Sequence, residues 1–221
     1  MPNYIDTIYN TSQRPKTDYP NQLAAYLCNR FNIKKGERLL ELGCGRGDFT
    51  KAFFDLGIKA EGLDLEKSSD DMLKNIPVSY INLDTERYPY EDGMFDVVYS
   101  KSVIEHLKNP EHFIKETMRI LKKGGKTIIL TPDWHTQMFI FYDDHTHVRP
   151  YTTVGLRDLL RIFDFKNVQS EQFNTLAITW KYPAIKIFSK LLQLLGPVKK
   201  LYKNRFIRWS RELMVLGYGE K

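Results

Sequence analysis

Between residues 37 and about 133, short apolar runs alternate with segments whose apolar positions recur three and four residues apart. The runs Arg38–Leu42, Ala60–Asp64, Ser79–Leu83, Phe95–Tyr99 and Thr127–Leu130 read as strands, and 47–56, 68–75 and 110–121 as helices. In 110–121, Phe113, Ile114, Met118 and Leu121 share a face, Pro110 suits a first turn, and Gly124-Gly125 predicts the stop. A helix over 21–31, carrying Leu23, Ala24, Leu27 and Phe31, precedes this block; a helix near 152–163 and a strand over 167–173 follow it. Strands alternating with helices predict an α/β fold, a doubly wound, mostly parallel sheet with helices on both faces.

The last forty residues have another pattern. Residues 184–195 are apolar around most of a helix, Gly196-Pro197 breaks them, and Val198, Tyr202, Phe206, Trp209, Leu213 and Leu216 form a stripe in a second expected helix. Lys199, Lys200, Lys203, Arg205, Arg208 and Arg211 fall largely off that stripe, as in a basic amphipathic helix. Charge sharpens the division. Residues 181–221 hold ten Lys/Arg against Glu212 and Glu220, a net +8, while the remaining 23 basic and 25 acidic residues leave 1–180 at −2. The expected organisation is one domain over 1–180 with a basic helical extension, 181–221, packed on it.

Composition adds exclusions. With 42% hydrophobic and 27% charged residues in 221, the chain is neither mostly disordered nor fibrous, and its length suits a single core. No run approaches the roughly 20 apolar residues of a membrane span, and MPNYIDTIYN lacks the layout of a signal peptide, so a cytoplasmic location is expected. Cys28 and Cys44 are too few for a disulfide framework and read as thiols.

The candidate chemistry begins at Leu39-Leu40-Glu41-Leu42-Gly43-Cys44-Gly45-Arg46-Gly47-Asp48, an apolar strand entering three alternate glycines and then a helix. Glycine permits the sharp turn and lets a ligand lie against the backbone. A dinucleotide fingerprint would place its third glycine at position 48, which is Asp, and a Walker loop would need Gly-Lys-Ser/Thr, which is absent.

Glu41-Leu42-Gly43-Cys44-Gly45-Arg46-Gly47 resembles motif I of the class I S-adenosylmethionine (SAM) methyltransferases, and further motifs follow in the family's order over residues 20–175. Gly62-Leu63-Asp64 resembles the second-strand motif, Asn82-Leu83-Asp84 the third, and Phe95–Ser100 with Val103-Ile104-Glu105-His106-Leu107 the fourth strand and its loop. Arg119–Gly125 resembles the approach to the fifth. The resemblance is to the group containing ubiquinone-type and other small-molecule O-methyltransferases. It implies a Rossmann-like, seven-stranded fold and a cofactor site of Glu41, Gly43, Cys44, Gly45, Gly47, Asp64, Leu65, Asp84 and Ser100. Within it Asp64 would take the ribose hydroxyls, Asp84 would accept from the adenine amino group, and Glu41 would orient the loop or meet the ligand's charged end. The product would be S-adenosylhomocysteine (SAH).

Methyl transfer from a sulfonium is an in-line displacement, so the protein mainly aligns the acceptor and, for a hydroxyl, removes its proton. The loop after the fifth strand, Asp143-Asp144-His145-Thr146-His147-Val148-Arg149-Pro150-Tyr151-Thr152, is the expected acceptor segment. His145 is the expected base. His147 belongs to a His-x-Arg-x-Tyr-Thr element resembling one seen in related methyltransferases, with a substrate-side or a structural role, Thr152 or Thr153 capping the next helix. His106, in the Glu-His pair, is a base or a structural residue. Asp143, Asp144, His145 and His147 have metal-ligating chemistry, but the ligands of metal-dependent catecholate enzymes come from several strand ends rather than one loop, so no metal is expected.

The expected activity is O-methylation of a small-molecule, glycan or lipid-linked acceptor, with peripheral contact to an anionic inner membrane face through 184–216. A SAM-binding module or partner subunit without catalysis is the alternative. RNA-related methylation ranks third, because Ser100-Lys101-Ser102 stands where base-methylating classes carry an Asn-Pro-Pro-Tyr type motif.

Overall fold

The computed structural model describes residues 15–67, 73–182, 184–199 and 203–221. The predicted helix 68–75 falls largely outside them, as do Tyr202 of the predicted C-terminal stripe and Lys200 of its basic face. Seven strands hydrogen-bond in the order β3-β2-β1-β4-β5-β7-β6: β1 Arg38–Leu42, β2 Lys59–Asp64, β3 Val78–Tyr80, β4 Phe95–Lys101, β5 Leu121–Pro132, β6 Lys166–Phe173 and β7 Met214–Glu220. β1 pairs parallel with β2 and β4, and β2 with β3, whereas β6 and β7 are antiparallel.

By its internal contacts the chain divides into two compact units. The first runs to Ser100 and adds Asn109–Thr127 and Lys221. Helices α1 (Tyr19–Phe31), α2 (Asp48–Asp55) and α3 (Pro110–Ile120) belong to it. α1 buries Leu23, Ala24, Leu27 and Phe31, the predicted face. In α3 the Asn109 side chain accepts from the His112 N–H and caps a helix whose first residue is Pro110, where a missing N–H costs nothing. This helix stops earlier than Gly124-Gly125 predicts. Leu121 is already extended and opens β5, and Gly124 sits inside that strand with φ +77. Leu39, Leu40, Leu42, Leu63, Val97 and Val98 fill the centre of this unit.

The second unit comprises Lys101–Lys108 and Ile128–Glu220. It holds α4 (Trp134–Gln137), α5 (Thr153–Ile162), α6 (Ile178–Lys181), α7 (Ile185–Gln193) and α8 (Arg205–Arg211). Thr152 caps α5 by accepting from the Gly155 N–H at 3.1 Å, one of the two caps expected.

The C-terminal segment departs from expectation. The second predicted helix ends at Arg211, and Leu213 and Leu216 are buried beyond it, Leu216 within β7. Residues 181–221 are thus not a helical extension, since their last stretch is a sheet strand. The reason is a period of two that replaces the helical period after Leu213: Val215, Gly217 and Gly219 alternate with Met214, Leu216 and Tyr218. At Gly217 a Cβ would come within 2.6 Å of Leu156 Cδ2, so glycine lets α5 lie against the strand. The basic face is also smaller than predicted. Arg211 is buried and donates to the carbonyls of Leu195, Gly196 and Pro197, and Arg208 pairs with Glu212 at 2.7 Å.

Candidate functional site

In the first unit the glycine loop joins β1 to α2. Gly43 and Cys44 both donate to the Leu63 carbonyl, at 2.7 and 3.2 Å, which ties the start of the loop to β2. Gly45 (φ +54) and Gly47 (φ +88) lie in the left-handed region that favours glycine. A Cβ on Gly45 would meet nothing within 4 Å, so this stretch of backbone borders open space. A Cβ on Gly47 would lie 2.2 Å from Leu73 Cγ, so here glycine serves packing as well.

Asp64 ends β2 beside this opening. Its Oδ2 accepts from the Gly45 N–H at 2.6 Å, and its Oδ1 from the Leu65 and Glu66 N–H groups at 2.7 and 3.3 Å. Burial raises the Asp64 pKa, and the three backbone donors counter part of that rise. The carboxylate is held rigidly and retains acceptor capacity on Oδ2. Leu65 is 60% exposed beside it, and the partly exposed Tyr80 pairs with Asp64 in the β2–β3 register.

The other expected cofactor residues divide in their roles. Glu41 is buried and accepts from the Thr50 hydroxyl at 2.5 Å, a bond that ties β1 to α2 across the glycine loop. Burial pushes its pKa up to about 8. Cys44 is buried and its thiol raised well above its ordinary value, first by burial and then by Glu41 and Asp64, which removes thiolate reactivity. Ser100 is buried and donates its hydroxyl to the Leu42 carbonyl at 3.1 Å. Asp84 Oδ1 accepts from the Asn109 N–H at 2.7 Å. Sequence reasoning missed Thr50 and Tyr80. Thr50 lies nine residues from Glu41, and nothing in either residue alone marks the pair.

In the second unit a short 3₁₀ turn, Ile104–His106, carries the Glu-His pair, and another, Phe141–Asp143, leads into the loop with His145 and His147. The backbone carbonyl of Glu105 accepts from Val148 and Arg149, which binds the loop to the turn. Glu105 is fully buried, Oε2 accepting from the Thr131 hydroxyl at 3.0 Å, and burial lifts its pKa to about 7. His106 Nδ1 lies 2.8 Å from the Thr146 hydroxyl, which donates its own proton to Asp144 at 2.6 Å. His147 Nδ1 lies 2.6 Å from the Phe141 carbonyl. The rings of His106 and His147 stand 4.7 Å apart, and burial followed by the charge of His147 lowers the His106 pKa.

Glu105, His106 and His147 thus converge, one ligand-type atom from each within 4.8 Å of the others. The grouping Asp143, Asp144, His145 and His147 does not form. Asp143 and His145 are exposed, and Asp144 is committed to Thr146.

Comparison with known proteins decides the family. Residues 40–129 match the family model for a methyltransferase domain. An uncharacterised protein of Methanocaldococcus jannaschii is 31% identical over 148 residues, 64% of this chain and 70% of that protein. The chain belongs to the class I SAM-dependent methyltransferases. The methyltransferase is also 26% identical over 113 residues to the ubiquinone biosynthesis O-methyltransferase of Coxiella burnetii, covering 48% of each chain. Other relatives are named as a sterol 4-C-methyltransferase and a phosphoethanolamine N-methyltransferase of Caenorhabditis elegans. The chain spans about half or less of the length of these three named enzymes. Its fold is shared with a SAM-dependent methyltransferase structure from Archaeoglobus fulgidus, at TM-score 0.68 and 20% identity, over 99% of this chain and 100% of that one.

Proposed function

We propose that this methyltransferase binds SAM through the Gly43–Gly47 loop and Asp64, and methylates an oxygen of a small-molecule, glycan or lipid-linked acceptor. One observation carries the cofactor part: the Asp64 carboxylate, fixed by three backbone N–H bonds, stands beside a glycine whose missing Cβ faces open space. A ribose hydroxyl donating to Asp64 makes a charge-assisted hydrogen bond without reorganising the chain. Leu65 and Tyr80 offer apolar surface for the adenine, and Asp84 remains the acceptor for its amino group. Bound SAM supplies an electrophilic methyl group on a positively charged sulfur.

For a hydroxyl acceptor the chain must take up a proton, and His106, His145 and His147 are the groups proposed for acceptor-side chemistry. His106 and His147 each leave Nε2 available, because their Nδ1 atoms donate to the Thr146 hydroxyl and the Phe141 carbonyl. His145 is open to solvent.

α7 favours an acceptor at a lipid surface. Ile187, Phe188 and Leu191 are exposed on it and Leu194 and Leu195 just beyond its end, with Lys186 and Lys190 also exposed on the helix. An apolar face flanked by cations suits an anionic bilayer, and it replaces the basic face expected nearer the C-terminus. Among the described residues no helix is long and apolar enough to cross a membrane, so the contact proposed is peripheral, at the inner face.

Mass spectrometry of lipids and glycans from cells with and without the protein tests the acceptor, the expected result being one class lacking a methyl group. Unchanged methylation of every extracted class contradicts the proposal. Co-sedimentation of the full chain with phosphatidylserine vesicles at low salt tests the surface, and recovery in the supernatant rejects it.

A further inference from the structure

Glu105, His106 and His147 form an acceptor-only cluster. Glu105 Oε1 is buried without a hydrogen-bond partner among the described residues, while Oε2 is bound by Thr131. The Phe141 carbonyl can only accept, so His147 Nδ1 donates to it and Nε2 keeps a lone pair. The Thr146 hydroxyl spends its single proton on Asp144, so His106 Nδ1 donates to Thr146, and His106 Nε2 likewise keeps a lone pair. Each of the three residues therefore keeps an acceptor, and one ligand-type atom from each lies within 4.8 Å of the other two. A single proton on Glu105 could satisfy only one imidazole; a cation satisfies all three groups.

We propose that Glu105, His106 and His147 bind one divalent transition-metal cation. Two imidazole nitrogens and one carboxylate oxygen suit zinc, manganese or cobalt, whereas magnesium and calcium prefer oxygen ligands. The surroundings match such a site. Metal-binding imidazoles characteristically donate their second N–H to a carbonyl or towards a carboxylate, as His147 does to Phe141 and as His106 does to Thr146 and, through it, Asp144. Thr131 in turn fixes Glu105 Oε2. Coordination positions left open by the three ligands would take water or an acceptor hydroxyl, whose pKa the cation lowers. With the cation bound, the Nε2 lone pairs of His106 and His147 are committed to it and proton uptake falls to His145; the site reverses the metal-free expectation by drawing on the fourth-strand loop together with the histidine loop.

Zinc chloride titrated into the metal-free full-length protein tests the site, followed by calorimetry and by ¹⁵N NMR of the histidine rings. One equivalent is expected to bind, shifting the Nε2 signals of His106 and His147 and leaving those of His112, His135 and His145 in place. His147→Ala and Glu105→Gln should each weaken zinc by about 10–100-fold or more. Magnesium should bind at least about tenfold more weakly than zinc. Absence of binding, or shifts confined to His135 or His145, overturns the site, and tighter magnesium binding overturns the metal class. The NMR arm uses the unaltered chain, so a variant that fails to fold does not block the test. SAH affinity, measured in parallel, separates failure of the metal site from failure of the cofactor reading.

Discussion

Asp64 and Glu105 are both carboxylates in poorly hydrated surroundings, one in each unit, and they are held in opposite ways. Asp64 is wrapped by three backbone N–H groups, one from the glycine loop and two from the residues that follow it. Glu105 has one side-chain donor on one oxygen, its other oxygen is buried without a hydrogen-bond partner among the described residues, and two imidazoles gather with it, one from the same turn and one from a loop some forty residues on. The first is a short-range device in which backbone conformation supplies the donors. The second is assembled by tertiary contact, and its polar atoms are left for a ligand to satisfy. A site of the first kind resists side-chain substitution except at its glycines and its acid, whereas one of the second kind depends on every partner.

The largest effect expected on this comparison comes from the loop. Gly47→Val forces a side chain into φ +88 and against Leu73, and should cost about 3 kcal/mol, read as a fall in the urea midpoint together with lost SAH binding. Retained stability would show that the loop is not the rigid element described. Thr50→Val comes next. It strips the side-chain donor from the buried Glu41 carboxyl and should cost about 1–3 kcal/mol in the same assay.

The pH dependence sharpens the contrast between buried acids and ordinary ones. Glu41 and Glu105 have folded pKa values raised to about 8 and about 7, so the folded chain holds protons that the unfolded chain releases. Their contribution to stability is full below the ordinary carboxyl pKa and is lost as pH rises through about 7–8. Denaturation midpoints should therefore fall between about pH 5 and 9, and Glu41→Gln should flatten part of that slope. A midpoint that rises over this interval contradicts the assignment. The smallest effect belongs to the surface: Lys186→Glu and Lys190→Glu should each remove about 1 kcal/mol of vesicle binding, without changing the thermal midpoint.

These differences also explain what the sequence made legible. β1, the glycine loop and Asp64 are local, so apolar runs and glycine spacing revealed them together with the doubly wound sheet. Helix positions were recovered wherever apolar spacing and a cap agreed, as at Asn109-Pro110. β7 was hidden because Leu213 and Leu216 also fit a helical stripe, and the decisive alternation of Val215, Gly217 and Gly219 reads as sparse apolar content unless glycine is counted as a packing residue. The acceptor-side cluster was only half visible. Neighbouring acids and histidines in one loop drew attention to Asp143–His147, whereas chain topology selects His147 alone from that loop and joins it to Glu105 and His106. The inward turn of Arg211 likewise depends on the chain bend at Leu195–Pro197, which no residue pattern near Arg211 announces.

The claim on which the functional reading rests is that Asp64 and the glycine loop hold the nucleoside of SAM. Calorimetric titration of SAH into the unaltered chain and into Asp64→Ala tests it most directly. The account predicts one-to-one binding to the unaltered chain and a loss of about 1–3 kcal/mol on substitution, roughly 5- to 150-fold in the dissociation constant. An unchanged dissociation constant in a folded Asp64→Ala protein would contradict it.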